Sequence, residues 1–232
     1  MSNSKNSIEQ KLTVSIDSAV VGYNEGELFL LLIKRDKSPF KGDWALPGAL
    51  LSSNSLAYNQ ALQILKSKAG VEMDFLEQLY TFDQLDRDPR SRTISISYYA
   101  FVNSHQYQIS ESNKTQDSKW FKLNNLPKLA FDHSQIIQMA LQRIRNKIEY
   151  HPLGFELLDQ EFTLTDLQRL YEIILDRELD KRNFRKKILS TEIVAGTGKK
   201  KIGDRNRQPE LYKFNEKVYK KMLKQGFNFK IV

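Results

Sequence analysis

At residues 151–154 the sequence His-Pro-Leu-Gly divides the chain into two segments with different patterns. A proline and a glycine so close together end a helix. Before this break β-rich stretches alternate with helix-like stretches, and after it the chain is mostly helical and basic. Because 232 residues exceed one typical domain, we predict two domains, residues 1–149 and residues 150–232.

The sequence contains no cysteine and only three histidines. The absence of cysteine excludes disulfide bonds, thiolate nucleophiles and cysteine-ligated zinc, and we predict neither a metal site nor a bound cofactor. The first eleven residues lack the apolar segment of a signal peptide. The longest apolar run, residues 28–33, is too short to span a bilayer. We therefore predict a cytoplasmic protein that does not associate with membranes.

The first segment has the pattern of a mixed α+β domain. Residues 13–21 are β-rich, and a turn at residues 24–26 leads into the apolar residues 28–33, which is typical of a hairpin. Apolar residues at a helical period predict a helix over residues 56–69, and Gly70 ends it. Strands are also predicted at residues 76–82, 93–102 and 120–121, and a helix capped by Asp132 is predicted to run to Glu149.

The second segment predicts two helices followed by a two-stranded hairpin. Thr165 is the predicted cap of a helix over residues 166–175, and Asp180 is the predicted cap of a helix over residues 181–189. Strands are predicted at residues 193–194 and 211–214, joined by a loop rich in glycine, lysine and arginine. This order is typical of a winged helix-turn-helix domain.

Positive charge is concentrated in the second segment. Residues 150–232 hold 18 basic and 12 acidic residues, and the first 149 residues hold 18 and 16. Within residues 181–221 there are 14 basic and 4 acidic residues. Such a field indicates a polyanionic partner, with nucleic acid first and an anionic membrane surface second. The alternative is a solvated basic face without a partner.

Residues 44–48, W-A-L-P-G, begin a stretch that resembles the Nudix hydrolase family. The box of that family is G-x5-E-x7-R-E-U-x-E-E-x-G-U, where U is apolar. Ala49 stands at its first glycine and Gly70-Val71 at its end, with the full spacing retained. The resemblance implies a Nudix-like α/β/α sandwich with a mixed sheet, so the whole chain is α+β with a winged helix-turn-helix domain after the sandwich.

The chain departs from the box at the positions that carry the chemistry. Active members cluster carboxylates there to hold Mg²⁺ for pyrophosphate hydrolysis. Ser55 stands at the first glutamate of the box, Gln63 at the arginine and Ile64 at the glutamate after it. Ser67 and Lys68 stand at the two metal-binding positions. We predict that this domain has no catalytic residues and is not an enzyme. The alternative is a Nudix hydrolase of ADP-ribose or a related nucleoside diphosphate derivative, with carboxylates outside the box such as Asp83, Asp86 or Glu111.

The motifs D-K-R-N-F-R-K at residues 180–186 and F-D-H at residues 131–133 resemble Nudix-related transcriptional regulators of the NrtR type. The resemblance covers nearly the whole chain and is strongest to a Bacteroidetes branch, of AraR type, that responds to L-arabinose. Other members bind ADP-ribose and control NAD metabolism. The implied function is a ligand-responsive repressor of sugar utilisation, whose effector is L-arabinose or a related sugar, or else ADP-ribose.

The former active-site cleft is the candidate effector pocket. Aromatic side chains suit the faces of a sugar or an adenine, and paired carboxylates and guanidinium groups suit hydroxyls. Packing of the aromatic residues and a solvated ion-pair loop are the alternatives. The candidate effector-binding residues are Lys34, Arg35, Phe40, Trp44, Asp83, Asp86, Arg87, Arg92 and His133.

The second predicted helix of the basic segment is the candidate recognition helix for palindromic duplex DNA. Arg182, Asn183 and Lys186 are the predicted base contacts, because arginine pairs with guanine and asparagine with adenine. Phe184 and Ile188 lie on its other side and are predicted core residues. The remaining candidate DNA contacts are Lys181, Arg185, Lys187, Lys199, Lys200, Lys201, Arg205 and Arg207.

A palindromic operator requires two copies of such a domain. We therefore predict a homodimer held by the first domain, with the effector acting through the link at residues 146–152. An RNA-binding or accessory module is the other functional class that the charge allows.

Overall fold

A computed structural model describes residues 11–24, 26–103, 118–151, 155, 157–201 and 208–225. Its strands are β1 (Thr13–Asn24), β2 (Glu27–Lys34), β3 (Trp44–Ala45), β4 (Gly48–Leu50), β5 (Glu77–Phe82), β6 (Thr93–Asn103), β7 (Ser118–Lys122), β8 (Val194–Lys200) and β9 (Glu210–Phe214). Its α-helices are α1 (Ala57–Ile64), α2 (His133–Tyr150), α3 (Leu164–Leu175), α4 (Lys181–Ser190) and α5 (Glu216–Lys224). A π-helical turn, Leu65–Ala69, extends α1, and a 3₁₀ turn, Leu123–Asn125, follows β7.

Strand β1 is the centre of a mixed sheet with the order β3-β2-β1-β6-β5. β1 runs parallel to β6 along nearly its whole length, and every other pair in this sheet is antiparallel. On its other side β1 pairs first with β4 and then with β2, while β7 pairs with the far side of β2. Having partners on both sides, β1 is buried from Ser15 to Tyr23.

The sheet has helices on both faces. Successive residues of a strand point to opposite faces, so neighbouring residues belong to different cores. Val20 and Leu31 belong to the core beneath α1, which includes Leu65. Val21 and Leu30 belong to the core on the opposite face, beneath α2. The predicted mixed-sheet sandwich is confirmed.

The core on the α2 side continues into the second half of the chain. Ile148 of α2, Leu167 and Tyr171 of α3, and Phe184 and Ile188 of α4 all belong to it and are almost fully buried. The predicted core positions in α4 are therefore confirmed. The domain boundary at residue 149 stays a prediction, and one hydrophobic core crosses it.

One helix start and one capping bond differ from the sequence expectation. The N-cap of α3 is Thr163, not Thr165, because the Thr163 hydroxyl accepts the Asp166 N–H and the Asp166 carboxylate accepts the Thr163 N–H in return. Thr163 and Asp166 have the spacing of a capping box. The sequence prediction chose the second threonine, Thr165, as the cap instead. Asp180 caps α4 as predicted, accepting the Asn183 N–H at 2.8 Å. Asp132 precedes α2 as predicted but makes no capping bond with its side chain.

The sequence patterns missed the two shortest strands, β3 and β4, and the C-terminal helix α5. The predicted link over residues 146–152 is helical as far as Tyr150, and its role in passing the signal stays a prediction. Among the described residues, no helix combines the length and apolar character needed to cross a bilayer.

Candidate ligand pocket and DNA-binding surface

A cavity of about 580 Å³ opens beside three strands. Its lining includes the first half of β1, the whole of β4 and the end of β2. Its ionisable walls are mostly cationic, since the lining contains six lysine and arginine residues against three aspartates. The basic residues are Lys34, Arg35, Lys37, Lys68, Arg87 and Arg90, and the acidic ones are Asp17, Asp36 and Asp88. An anionic ligand fits this charge better than a cation does.

Asp17, in the middle of β1, forms the floor of this cavity and is buried. Ser95 Oγ donates to its Oδ2 at 2.6 Å, and His133 Nε2 lies 3.4 Å from its Oδ1. Burial raises the pKa of the Asp17 carboxyl, but the contacts with His133, Ser95 and Arg87 outweigh this effect and lower the pKa to about 2. Asp17 is therefore ionised at neutral pH.

Arg87 is buried and binds the floor of the cavity instead of facing solvent. Its Nε and Nη2 donate to Asp132 at 2.9 and 2.8 Å, a bidentate pair. Nη1 donates to Ser15 Oγ at 3.3 Å, and Nη2 lies 3.5 Å from Asp17 Oδ2. The use of Asp132 here explains why its carboxylate does not cap α2. Arg87 thus ties the loop between β5 and β6 to both β1 and α2.

His133 connects the same floor to the W-A-L-P-G segment. Its Nδ1 accepts the Leu46 N–H at 2.9 Å, so the ring proton lies on Nε2, which faces Asp17. The histidine therefore fixes the backbone that leads into β4.

Phe131 forms one wall of the cavity between two guanidinium groups. The Arg35 guanidinium lies 4.6 Å from the ring centroid and that of Arg90 5.6 Å from it, both within the range of a cation–π contact. Arg90 also makes a bidentate pair with Asp88, with distances of 3.0 and 2.7 Å. Phe40 contacts the edge of Phe131.

Lys68 reaches the cavity from the π-helical turn after α1. Its Nζ donates to the Gly48 carbonyl at 2.7 Å. Burial lowers the pKa of the Lys68 ammonium, with Asp36 acting in the opposite direction. Gly48 is held closely against β1, since a side chain there would overlap the Asp17 carboxylate and the Ile16 carbonyl. The carbonyl that anchors Lys68 is thus fixed in place.

The other box positions do not bring donors for a divalent cation into this cavity. Ile64 is buried in the core beneath α1, and Gln63 is exposed. Ser55 lies in the turn before α1, and Ser67 lines the cavity beside Lys68. In the described ranges no group of three His, Asp or Glu residues could hold a metal ion. The donor set at the box does not fit Mg²⁺.

Four of the nine predicted effector residues line the cavity: Lys34, Arg35, Arg87 and His133. The other five do not line it. Trp44 packs against the Phe121 ring at 4.7 Å, and Phe40 packs against the Phe131 ring at 4.8 Å. Asp83 and Asp86 are exposed on the β5–β6 loop, where Arg92 donates to the Asp83 carbonyl at 2.6 Å.

Sequence reasoning missed Asp17, Lys68 and Phe131 as pocket residues. One signal was available, because Asp17 is a lone acidic residue inside a β-rich run. A buried carboxylate in the centre of a strand needs partners, and such a residue therefore marks a site.

The candidate DNA surface is the outer side of α4. Phe184 and Ile188 point into the core, while Lys181, Arg182, Asn183, Lys186 and Lys187 are exposed. Arg185 is half-buried and donates to Thr165 Oγ1 at 3.1 Å, which ties α4 to α3.

The predicted wing is the hairpin of β8 and β9. Lys200 is exposed on it, but Lys199 pairs with Glu161 at 2.8 Å and Lys201 with Asp166 at 3.3 Å. These two charges are thus partly neutralised within the protein. Arg205 and Arg207 lie outside the described residues.

Known protein families match both parts of this architecture. The NUDIX domain matches residues 15–140, and the NrtR DNA-binding winged helix domain matches residues 154–214. The ADPR responsive transcriptional repressor NtrR of Acinetobacter baylyi is 35% identical over 220 residues, which are 93% of this chain and 85% of that protein. The chain belongs to the NrtR family.

Solved structures agree with this assignment. Shewanella oneidensis NrtR in complex with a 27mer DNA has a TM-score of 0.75 and 29% identity, covering 89% of this chain and 95% of that one. The NUDIX domain of the same NrtR in complex with ADP ribose has a TM-score of 0.54 and 28% identity, covering 61% of this chain and 94% of that one.

A further relative by sequence is an enzyme. The ADP-ribose pyrophosphatase of Methanocaldococcus jannaschii is 37% identical over 120 residues, 52% of this chain and 70% of that protein. The similarity to an arabinose-responsive branch stays a prediction.

Proposed function

We propose that this NrtR-family protein is a transcriptional repressor that binds duplex DNA through α4 and the β8–β9 wing and releases it when ADP-ribose fills the cavity. The observation that carries the proposal is the exposed face of α4. Arg182, Asn183 and Lys186 offer base-reading groups there, while Phe184 and Ile188 hold the opposite face in the core. The DNA complex of Shewanella oneidensis NrtR, a structural neighbour, supports this reading.

The charge of the cavity supports an anionic effector. Asp17 and Asp88 already accept hydrogen bonds from the protein, which reduces their capacity to bind the hydroxyls of a neutral sugar. Arg35 and Lys68 supply positive charge to the same space. ADP-ribose carries a diphosphate that these cations attract, and the NUDIX domain of Shewanella oneidensis NrtR has been solved in complex with it.

We also propose that the cavity binds this ligand without hydrolysing it. Ile64 and Lys68 occupy positions where the Nudix box requires carboxylates, and an ammonium repels the divalent cation on which hydrolysis depends. Magnesium-dependent turnover of ADP-ribose would contradict the proposal and favour the hydrolase class.

Strand β1 supports a direct route from the cavity to the DNA-binding half. Asp17 lies at the cavity, and the β1–β2 turn at the other end of the strand packs on α3. A side chain at Gly26 would overlap the Arg169 guanidinium, so these two elements are in direct contact. Asn103, at the end of the paired strand β6, donates to the Leu157 carbonyl at 3.0 Å. A ligand that prefers a different position of β1 would shift α3, and with it α4.

The test is fluorescence anisotropy on duplex DNA from upstream of the protein's own gene, compared with a random duplex. We expect specific binding with a log–log salt slope of about −5, if about six phosphates are contacted. ADP-ribose should reduce this binding, whereas L-arabinose and other pentoses should not. If a pentose alone reduces DNA binding, the effector is that sugar and not ADP-ribose. Equal binding to both duplexes would contradict the proposed regulatory function. Gel filtration with light scattering tests the proposed dimer, which a palindromic operator requires.

Replacing Arg182 with alanine should weaken binding to the specific duplex by about tenfold to a hundredfold and relax the preference at one base pair. The reason is that an arginine at the start of a recognition helix pairs with a guanine edge. Lys187→Ala should instead weaken all duplexes alike and reduce the salt slope by about 1. Lys66→Ala, on the exposed side of the π-helical turn, serves as the charge control and should change neither. Unchanged selectivity in Arg182→Ala would remove this residue from base recognition.

A further inference from the structure

The Lys68 ammonium lies in the cavity at a position where the Nudix box of active enzymes has a metal-binding residue. Its Nζ is held 2.7 Å from the Gly48 carbonyl oxygen. That oxygen is fixed, because Gly48 pairs with Asp17 in the sheet and packs too closely on β1 to admit a side chain. An ammonium has three N–H donors, so the bond to Gly48 leaves capacity for a ligand.

A diphosphate bound in this cavity needs a compact positive charge against its oxygens. In Nudix enzymes a divalent cation supplies this charge, but the donor set of this chain does not fit one. Arg87 cannot replace it, since its guanidinium is already bound to Asp132 and lies beside Asp17. Arg90 is likewise paired with Asp88. Lys68 and Arg35 instead donate to neutral carbonyl groups, Lys68 to Gly48 and Arg35 to Pro39 and Lys37. Of these two, Lys68 carries the compact charge of an ammonium.

We propose that Lys68 replaces the divalent cation of the Nudix site and contacts the diphosphate of the ligand, so that ligand binding needs no metal. This inference rests on the proposed ADP-ribose pocket and adds to it the residue that recognises the diphosphate. Arg35 stands against Phe131 in the same cavity and adds a second positive charge. The cavity is thus a diphosphate site with a tethered cation.

Titration calorimetry with two probes, ADP-ribose and inorganic pyrophosphate, tests this role on the full chain. Each titration is run once with EDTA and once with Mg²⁺. The wild-type protein should bind both probes at least as tightly in EDTA as in Mg²⁺, because Mg²⁺ itself complexes a free diphosphate. Lys68→Gln should weaken both by about tenfold to a hundredfold, as expected for the loss of a hydrogen bond to a charged group, and Lys68→Arg should recover part of the loss. Lys66→Gln is the matched control, because Lys66 lies in the same turn but pairs with Glu72 at the surface.

A requirement for Mg²⁺ in the wild-type protein would overturn the inference, and so would unchanged affinity in a folded Lys68→Gln variant. The EDTA comparison uses the wild-type chain and is decisive even if the substitution disturbs folding. If pyrophosphate binds through Lys68 but ADP-ribose does not bind, the inference stands and the proposed effector is wrong. If neither probe binds the wild-type protein, both are wrong.

Discussion

Replacing Arg87 with methionine should lower the free energy of unfolding by about 3–5 kcal/mol at neutral pH, the cost of removing one partner from a buried ion pair. Arg87 is buried and donates two hydrogen bonds to Asp132, and it lies beside Asp17. Methionine fills a similar volume but leaves both carboxylates buried without their cation. Urea unfolding followed by circular dichroism measures the loss.

Arg92→Met is the matched control, since Arg92 lies near Arg87 on the β5–β6 loop but binds only backbone carbonyls in the described residues, near the surface. Its loss should stay below about 1 kcal/mol, as is usual for a surface interaction. An equal loss in both variants would show that the loop, and not the buried network, carries the stability.

The difference between Arg87→Met and the wild-type protein should also depend on pH. In the wild-type fold the pKa of Asp17 is lowered to about 2, so its stabilising effect is present above about pH 4, the pKa of an unfolded aspartate, and is lost as the pH falls towards 2. Without Arg87 the charged carboxylate loses one of the contacts that favour it, while those with His133 and Ser95 remain. The two unfolding curves should therefore approach each other between pH 4 and pH 2.

The sequence patterns predicted the sheet and the two helices of the winged domain because those elements depend on local periodicity. Residues 13–21 and 93–102 became β1 and β6, and the alternation of their side chains was enough to place them. The caps were harder, since Thr163 and Thr165 compete within three residues and only one has Asp166 at the reciprocal spacing. A hydrogen bond decided between them, which composition alone does not reveal.

The pocket could be predicted only in part because its residues come from distant parts of the chain. Asp17 and His133 meet only after α2 has packed on the sheet over β1. The β5–β6 loop was selected for its charges, yet Asp83 and Asp86 stay in solvent, while Arg87, Asp88 and Arg90 line the cavity. In the sequence, Lys68 indicated only that the Nudix box had lost a metal-binding residue. Its bond to Gly48 depends on the pairing of β4 with β1, which the sequence patterns did not predict.

A repressor of this kind requires that its two halves respond together. The core beneath α2 continues through α3 into α4, and polar contacts join the halves as well, for example Arg145 Nε donating to the Ile174 carbonyl at 3.1 Å. Independent domains joined by a linker would unfold separately, whereas elements that share one core unfold in a single transition. The continuous core therefore predicts cooperative unfolding of the whole chain, and a substitution in α4 tests it.

Phe184→Ala should destabilise the whole protein by about 3–5 kcal/mol, the usual cost of removing a buried phenylalanine. Phe184 is almost fully buried and contacts the Tyr171 ring at 5.5 Å. Both tryptophans, Trp44 and Trp120, lie in the other half of the chain, so their fluorescence reports unfolding of the half that does not carry the substitution. We expect the urea midpoint from tryptophan fluorescence to fall together with the midpoint from circular dichroism.

Leu189→Ala is the control for this experiment, because Leu189 belongs to the same helix but is 43% exposed. It should shift both midpoints only slightly. A tryptophan transition that stays in place while the helical signal shifts would mean that the halves are energetically separate, and the effector would then need another route to the DNA. Coincident shifts would mean that α4 and the cavity belong to one cooperative unit. In such a unit a ligand that displaces β1 also moves α4, the proposed recognition helix, through the shared core.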